Sequence, residues 1–296
     1  MTKTNLIWLF AGILFISSCA TKAPKSDAYG NFEATEITVS AEANGRIFSL
    51  DVKEGQILKE GAVVGHIDSL QLVLKRMQLK AQRAAIASKT GNIVAQMDVL
   101  NEQKNVAATE LKRVESLMKD KAATQKQFDD IKGQITVLEQ QVKAIETQNT
   151  GVVSEIKGID MQVDQVNDQV HKCTIINPAD GTVLAKYAEP GEIAVFGKSL
   201  YKIANLNVLN LRVYISGSML PNIKLGQKVE VLVDKDETTN KKLDGSVIWV
   251  SDNAEFTPKV IQTKEERVNM VYAVKIAVNN DGTLKIGMPG EVNFPK

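Results

Sequence analysis

The stretch GRIFSLDVKEGQILKEGAVVGHI, Gly45–Ile67, is written a second time as GTVLAKYAEPGEIAVFGKSLYKI, Gly181–Ile203. The two align without a gap. Gly45, Gly55 and Gly61 match Gly181, Gly191 and Gly197, and Ile57 and Ile67 match Ile193 and Ile203. Each copy reads as short strands punctuated by glycines at turns. Two such halves pack as a pseudo-symmetric β-sandwich, so the question is why a helical segment separates them.

That segment, Ser69–Asn177, contains no proline. Its second half carries an apolar repeat: Phe128, Ile131, Ile135, Leu138, Val142, Ile145, Asn149, Val152, Ile156, Ile159, Val163, Val166, Val170. The spacing alternates three and four without a slip, and only Asn149 is polar. This is a heptad seam of an α-helical coiled coil. The first half reads as two seams, Leu70, Leu74, Met77, Ala81, Ala84, Ser88 and then Ile93, Met97, Leu100, Lys104, Ala107, Leu111, Val114, Met118. Their phase slips around Thr90–Asn92, where Gly91 costs helix stability, and a break or kink is expected there. An antiparallel hairpin results, with its turn in KDKAATQ, Lys119–Gln125. Each arm of about 45 residues reaches roughly 70 Å. Two such helices bury a thin seam and enclose no pocket.

Composition narrows the function. Lys and Arg number 36 against 35 Asp and Glu, and no basic tract is interleaved with aromatics, which argues against nucleic-acid binding. The N-terminus reads as a targeting signal over residues 1–18: Lys3, the apolar run Leu6–Ile16, then ISSC ending at Cys19. That ending resembles the lipobox of bacterial lipoproteins, which implies an acylated Cys19 and a membrane anchor; the alternative is a plain signal peptide with a chance cysteine. Residues 19–33 read as a polar tether. Cys173 is then the one free thiol, and no zinc spacing exists. His66 and His171 flank the root of the hairpin, with Asp68 near the first. A metal there lacks a third ligand, and two ordinary imidazoles are the simpler reading. No phosphate loop, Gly-x-Ser-x-Gly motif or helical His pair is present, so an enzyme is not expected and no cofactor is assigned.

The doubled motif resembles the biotinyl/lipoyl domain. In carrier versions its halves meet at a tight hairpin that presents a modifiable lysine, and here the helical insert occupies that junction. A lipoyl-like domain split by an α-hairpin behind a lipoprotein signal resembles the HlyD family of periplasmic adaptors, the membrane fusion proteins. The tail agrees: Leu206–Ser216, Leu225–Val233, Gly245–Ser251 and Leu284–Phe294 resemble strands of that family's β-barrel, and Glu255–Ile276 resembles adaptors paired with ABC transporters. Alternation independently puts Leu209, Leu211, Val213 and Ile215 on one face, then Val229, Val231 and Val233, then Met270, Tyr272, Val274, Ile276 and Val278.

The resemblance implies an α+β fold: a split lipoyl-like sandwich (34–68 and 172–204), a coiled-coil hairpin (69–171) and a C-terminal barrel (205–296). It implies an inner-membrane transporter, a TolC-like outer-membrane channel and a homo-hexamer as partners, with the chain in the periplasm. The chain stops after the barrel's last strand, which leaves little room for a further membrane-proximal domain and favours an ABC-type partner. Family members that dock onto such channels carry Arg, Leu and Ser at the hairpin tip as R-x3-L-x6-S. Arg113, Leu117 and Thr124 stand at those intervals, Thr keeping the hydroxyl. Read from the residues alone, Arg113 is a solvated helix residue, Leu117 a seam residue and Thr124 an N-cap. Two other functions remain open at this point: a biotinyl or lipoyl carrier, and an envelope coiled-coil scaffold without a transport role.

Overall fold

A computed structural model describes residues 26–236, 239–255 and 270–295. Residues 1–18, read above as a targeting signal, and Cys19 lie outside the described residues. The chain divides into two compact units, one of residues 38–203 and one formed by 26–37 with 204–295.

The first unit is built from the doubled motif. Its strands are β2 (Glu36–Ser40), β3 (Gly45–Leu50), β4 (Ile57–Leu58), β5 (Val63–Ile67), β6 (Thr174–Ile176), β7 (Gly181–Lys186), β8 (Ile193–Ala194) and β9 (Ser199–Ala204). They form two four-stranded sheets, ordered β2-β9-β7-β4 and β6-β5-β3-β8. Exchanging each strand for its counterpart in the other copy turns one order into the other, so each sheet draws strands from both halves. Ile47, Leu50, Leu58, Val64 and Ile67 meet Ile175, Val183, Leu200, Tyr201 and Ile203 in a shared core. The matched Ile57 and Ile193 face outward, while Leu58 and Ala194 beside them are buried.

Asn177 ties the halves together from a fully buried position. Its Nδ2 donates to the Lys59 carbonyl at 2.9 Å and to the Ala179 carbonyl, and its Oδ1 accepts from the Tyr201 hydroxyl at 3.0 Å. Burial pushes the Tyr201 phenol up to about 12. The glycines serve two purposes. Gly55, Gly61, Gly191 and Gly197 sit in turns at φ of 81°, 77°, 96° and 84°, which favour glycine. Gly45 and Gly181, expected at turns, instead open β3 and β7. At Gly45 the need is space, since a Cβ would lie 2.9 Å from the Asp68 carbonyl oxygen.

Between β5 and β6 run α1 (Leu70–Lys119) and α2 (Gln125–Lys172), of 50 and 48 residues. The whole seam from Phe128 to Val170 is turned away from solvent, with Leu138, Ile159, Val163 and Val166 buried. In α1 the expectation fails for the first two dozen residues. Leu70, Leu74, Met77, Ala81, Ala84 and Ser88 are exposed, and the helix runs unbroken through Gly91. The true seam is Leu72, Arg76, Leu79, Arg83, Ile86, Thr90 and Ile93, which joins the later positions without a slip. Polar side chains at alternate seam positions hid it. Arg76 donates to Asn167 Oδ1 at 3.3 Å, and Arg83 grips both carboxylate oxygens of Asp160, its Nη2 donating at 3.2 Å. One glycine costs about 1 kcal/mol, which the packing of a long seam offsets.

The second unit is a closed barrel of β1 (Ala28–Glu33), β10 (Val208–Ser216), β13 (Val271–Asn279), β12 (Asn240–Val250), β11 (Lys228–Asp234) and β14 (Pro289–Asn293), in that order around the wall. Its core takes Leu209, Leu211, Val213, Ile215, Val229, Val231, Val233, Val274, Ile276 and Val278. Two expectations change. The tether assigned to 19–33 contains β1, which pairs with both β10 and β14 and buries Ala28 and Phe32. On β13 the alternation holds from Val274 onward, but Met270 is exposed and Val271 and Ala273 turn inward instead.

Candidate functional site

Among the described residues no three His, Cys, Asp or Glu side chains cluster as a metal site, and His66 and His171 are both solvent-exposed. Cys173 caps the C-terminus of α2 rather than lying in a strand. Its Sγ donates to the Gln169 carbonyl, and burial pushes the thiol up, away from the reactive thiolate.

The hairpin tip is one feature with exposed side chains. Its turn is built by backbone chemistry at both ends. At the close of α1, the Ala122 N–H donates to the Leu117 carbonyl at 2.7 Å and the Lys121 N–H to the Met118 carbonyl at 3.0 Å. This crossed pair is a Schellman cap, and it requires a left-handed residue at Lys121, whose φ is 58°. At the start of α2, Thr124 is the N-cap. Its Oγ1 accepts from the Gln127 N–H at 3.4 Å, and Gln127 Oε1 accepts from the Thr124 N–H at 2.8 Å. The T-x-x-Q spacing signals such a capping box. The hydroxyl also donates to Gln127 Oε1 at 3.0 Å, so Thr124 is committed to shaping the turn.

Arg113 and Leu117 are placed differently. They lie four residues apart, on one face of the last turns of α1. The seam there is Val114 and Met118, so Leu117 is not a seam residue, and it is 40% exposed. The Arg113 guanidinium meets only Glu110, at 2.7 Å on the same helix, and remains largely solvated. Such an exposed pair holds little energy, so the fork of donors is available to carbonyls or carboxylates of another protein.

No family model matches the chain. A curated relative, the UPF0194 membrane protein YbhG of Salmonella gallinarum (strain 287/91 / NCTC 13346), is 25% identical over 90% of this chain and 87% of its own length. Among solved structures, MacA from Actinobacillus actinomycetemcomitans superposes with a TM-score of 0.61 at 22% identity, covering 90% of this chain and 76% of that one. The membrane fusion protein Spr0693 from Streptococcus pneumoniae R6 gives 0.51 at 17% identity, covering 90% and 98%. Both structural matches cover nine tenths of this chain, and the architecture is the α+β one expected from the sequence. Over most of its length the chain is thus similar to the membrane protein YbhG, and it shares the fold of MacA and of the membrane fusion protein Spr0693.

Proposed function

We propose that this chain is the periplasmic adaptor of a tripartite efflux or export system, joining an inner-membrane transporter to a TolC-like outer-membrane channel. The transporter is of the ABC type, in keeping with the resemblance of the Glu255–Ile276 segment to adaptors of such transporters. Acylated Cys19 anchors it to the inner membrane, and copies assemble as a homo-hexamer. Arg113 and Leu117 touch the channel, while Thr124 sets the turn that presents them.

One observation carries this reading. Arg113 and Leu117 share an exposed face at the tip and contribute nothing to the seam that holds the hairpin together. A side chain with no internal task at the end of a long rod suits contact with another molecule. The test is capture of the outer-membrane channel by the full chain carrying Arg113→Asp or Leu117→Ser. Capture and export should fall while helical circular dichroism stays unchanged. Unaltered capture and export by both variants would overturn the docking role.

A further inference from the structure

The misread first seam leaves a stripe without a partner. Leu70, Leu74, Met77, Ala81, Ala84 and Ser88 recur at helical spacing on α1 and are all exposed, Met77 by 60%. At roughly 100° per residue they lie diametrically opposite Leu72, Leu79 and Ile86, the residues that face α2. The stripe is therefore the outer edge of the hairpin on the α1 side. The outer edge on the α2 side, opposite Ile159, Val163 and Val166, holds one large apolar side chain, Met161, which is 74% exposed.

The two edges match in height. Arg76 reaches Asn167 and Arg83 reaches Asp160, so Met161 stands level with Ala81 and Gln82. At that height the stripe has only the small side chains of Ala81 and Ala84 beside the larger Met77. The edges also match in charge. Residues 70–90 carry Lys75, Arg76, Lys80, Arg83 and Lys89 and no acidic residue, whereas residues 150–172 carry Glu155, Asp160, Asp164 and Asp168 against Lys157 and Lys172. Helical phase puts Lys80 on the flank of the stripe that faces the flank of Asp164 when two hairpins stand side by side at equal height.

We infer that these two edges bind each other between copies: Met161 of one chain seats at Met77, Ala81 and Ala84 of the next, with Lys80 against the neighbour's Asp164. The occupant of the stripe is thus a second copy of this chain. The contact is heterologous and repeats around a ring without a rise along the rod. It rests on the self-association read above and adds which surfaces make it and in which direction.

Full chains carrying Ala81→Cys or Met161→Cys, solubilised from membranes, are treated with a short bismaleimide. Each variant alone should give no cross-linked product, their mixture a dimer, and the double variant a ladder. Met161→Asp should weaken self-association roughly tenfold or more, the worth of one buried Met side chain. Lys80→Glu and Asp164→Lys should each weaken it about threefold, and together restore it. All four positions are exposed, so folding is preserved. An Ala81–Ala81 or Met161–Met161 pairing in the single variants overturns this contact. So does failure of the mixture to cross-link in a sample that sedimentation shows to be associated, and in both cases self-association stands. A chain that sediments as a monomer at every concentration overturns both.

Discussion

Gly30 lies in β1 where the strand crosses β10, and replacing it with alanine should open the barrel. The new Cβ would stand 1.7 Å from the Arg212 carbonyl oxygen, 2.6 Å from its carbon and 2.8 Å from Val213 Cα. All three are backbone atoms, so no side chain can swing aside. An ordinary contact requires the strands to separate by about 1.5 Å more, which breaks the ladder bonds on that side. The pairing of Tyr29–Glu33 with Asn210–Tyr214 is then lost, and solvent reaches Phe32, which is 1% exposed. Exposing a buried Phe costs about 1.5–3 kcal/mol, and each lost ladder bond adds roughly 1 kcal/mol. Alanine's smaller backbone entropy returns up to about 1 kcal/mol. The net destabilisation should be about 3–5 kcal/mol. Trp249 on β12 is one of only two tryptophans, the other being Trp8 in the signal-like segment, so fluorescence in urea reports on the barrel. The helical signal should melt as before, because the hairpin belongs to the other unit. Tyr29→Ala, at a half-exposed neighbouring position, serves as the control and should cost far less. A Gly30→Ala barrel within about 1 kcal/mol of the parent would refute the close-approach argument.

Two further outcomes follow from groups in the first unit. Lys121 occupies the left-handed position of the tip, which costs a residue with a Cβ about 1 kcal/mol relative to glycine; Lys121→Gly should slow hydrogen exchange over Leu117–Ala122, and faster exchange contradicts the cap. Tyr201 is held neutral up to about 12 against an ordinary value of 10, so its contribution is fully present below pH 10 and is lost as pH rises through about 12. That amounts to about 2–3 kcal/mol over the window, and the late phenolate step in an ultraviolet titration should vanish in Tyr201→Phe; a parent titration complete by pH about 11 counts against it.

The legible parts of the chain are those where side-chain chemistry and period agree. The α2 seam was readable residue by residue because twelve of its thirteen positions are apolar and evenly spaced. The base of α1 misled because its seam uses Arg76, Arg83 and Thr90, each of which reads as surface, while the exposed edge offers Leu70, Leu74 and Met77. Arginine fits there through its long apolar stem and a partner on the facing helix, which a hydrophobic pattern does not register. Strand β1 was hidden for a related reason. Its inward residues are Ala28, Gly30 and Phe32, and a single large side chain does not make a pattern. Gly30 is required by the close approach of β10, a contact nearly two hundred residues away in sequence. At the tip, the four-residue spacing of Arg113 and Leu117 was visible, and so was the T-x-x-Q capping signal. That Leu117 lies off the seam was legible as well, since the apolar spacing already put Val114 and Met118 on it; only its exposure had to come from the structure.

The interleaved sandwich has a consequence for how the length of the rod is set. Strands β5 and β6 are antiparallel neighbours in one sheet, pairing Val63 with Ile176 and His66 with Thr174. To the sandwich, the two helices are simply the loop of one β-hairpin, entering and leaving at adjacent strands. Nothing in either sheet measures how far that loop travels. Removing seven residues from α1 and the seven level with them from α2 keeps both seams in phase and shortens the reach by about 10 Å. The fold thus contains a ruler whose graduations are heptads, and whose length is adjustable without altering the domain that holds it.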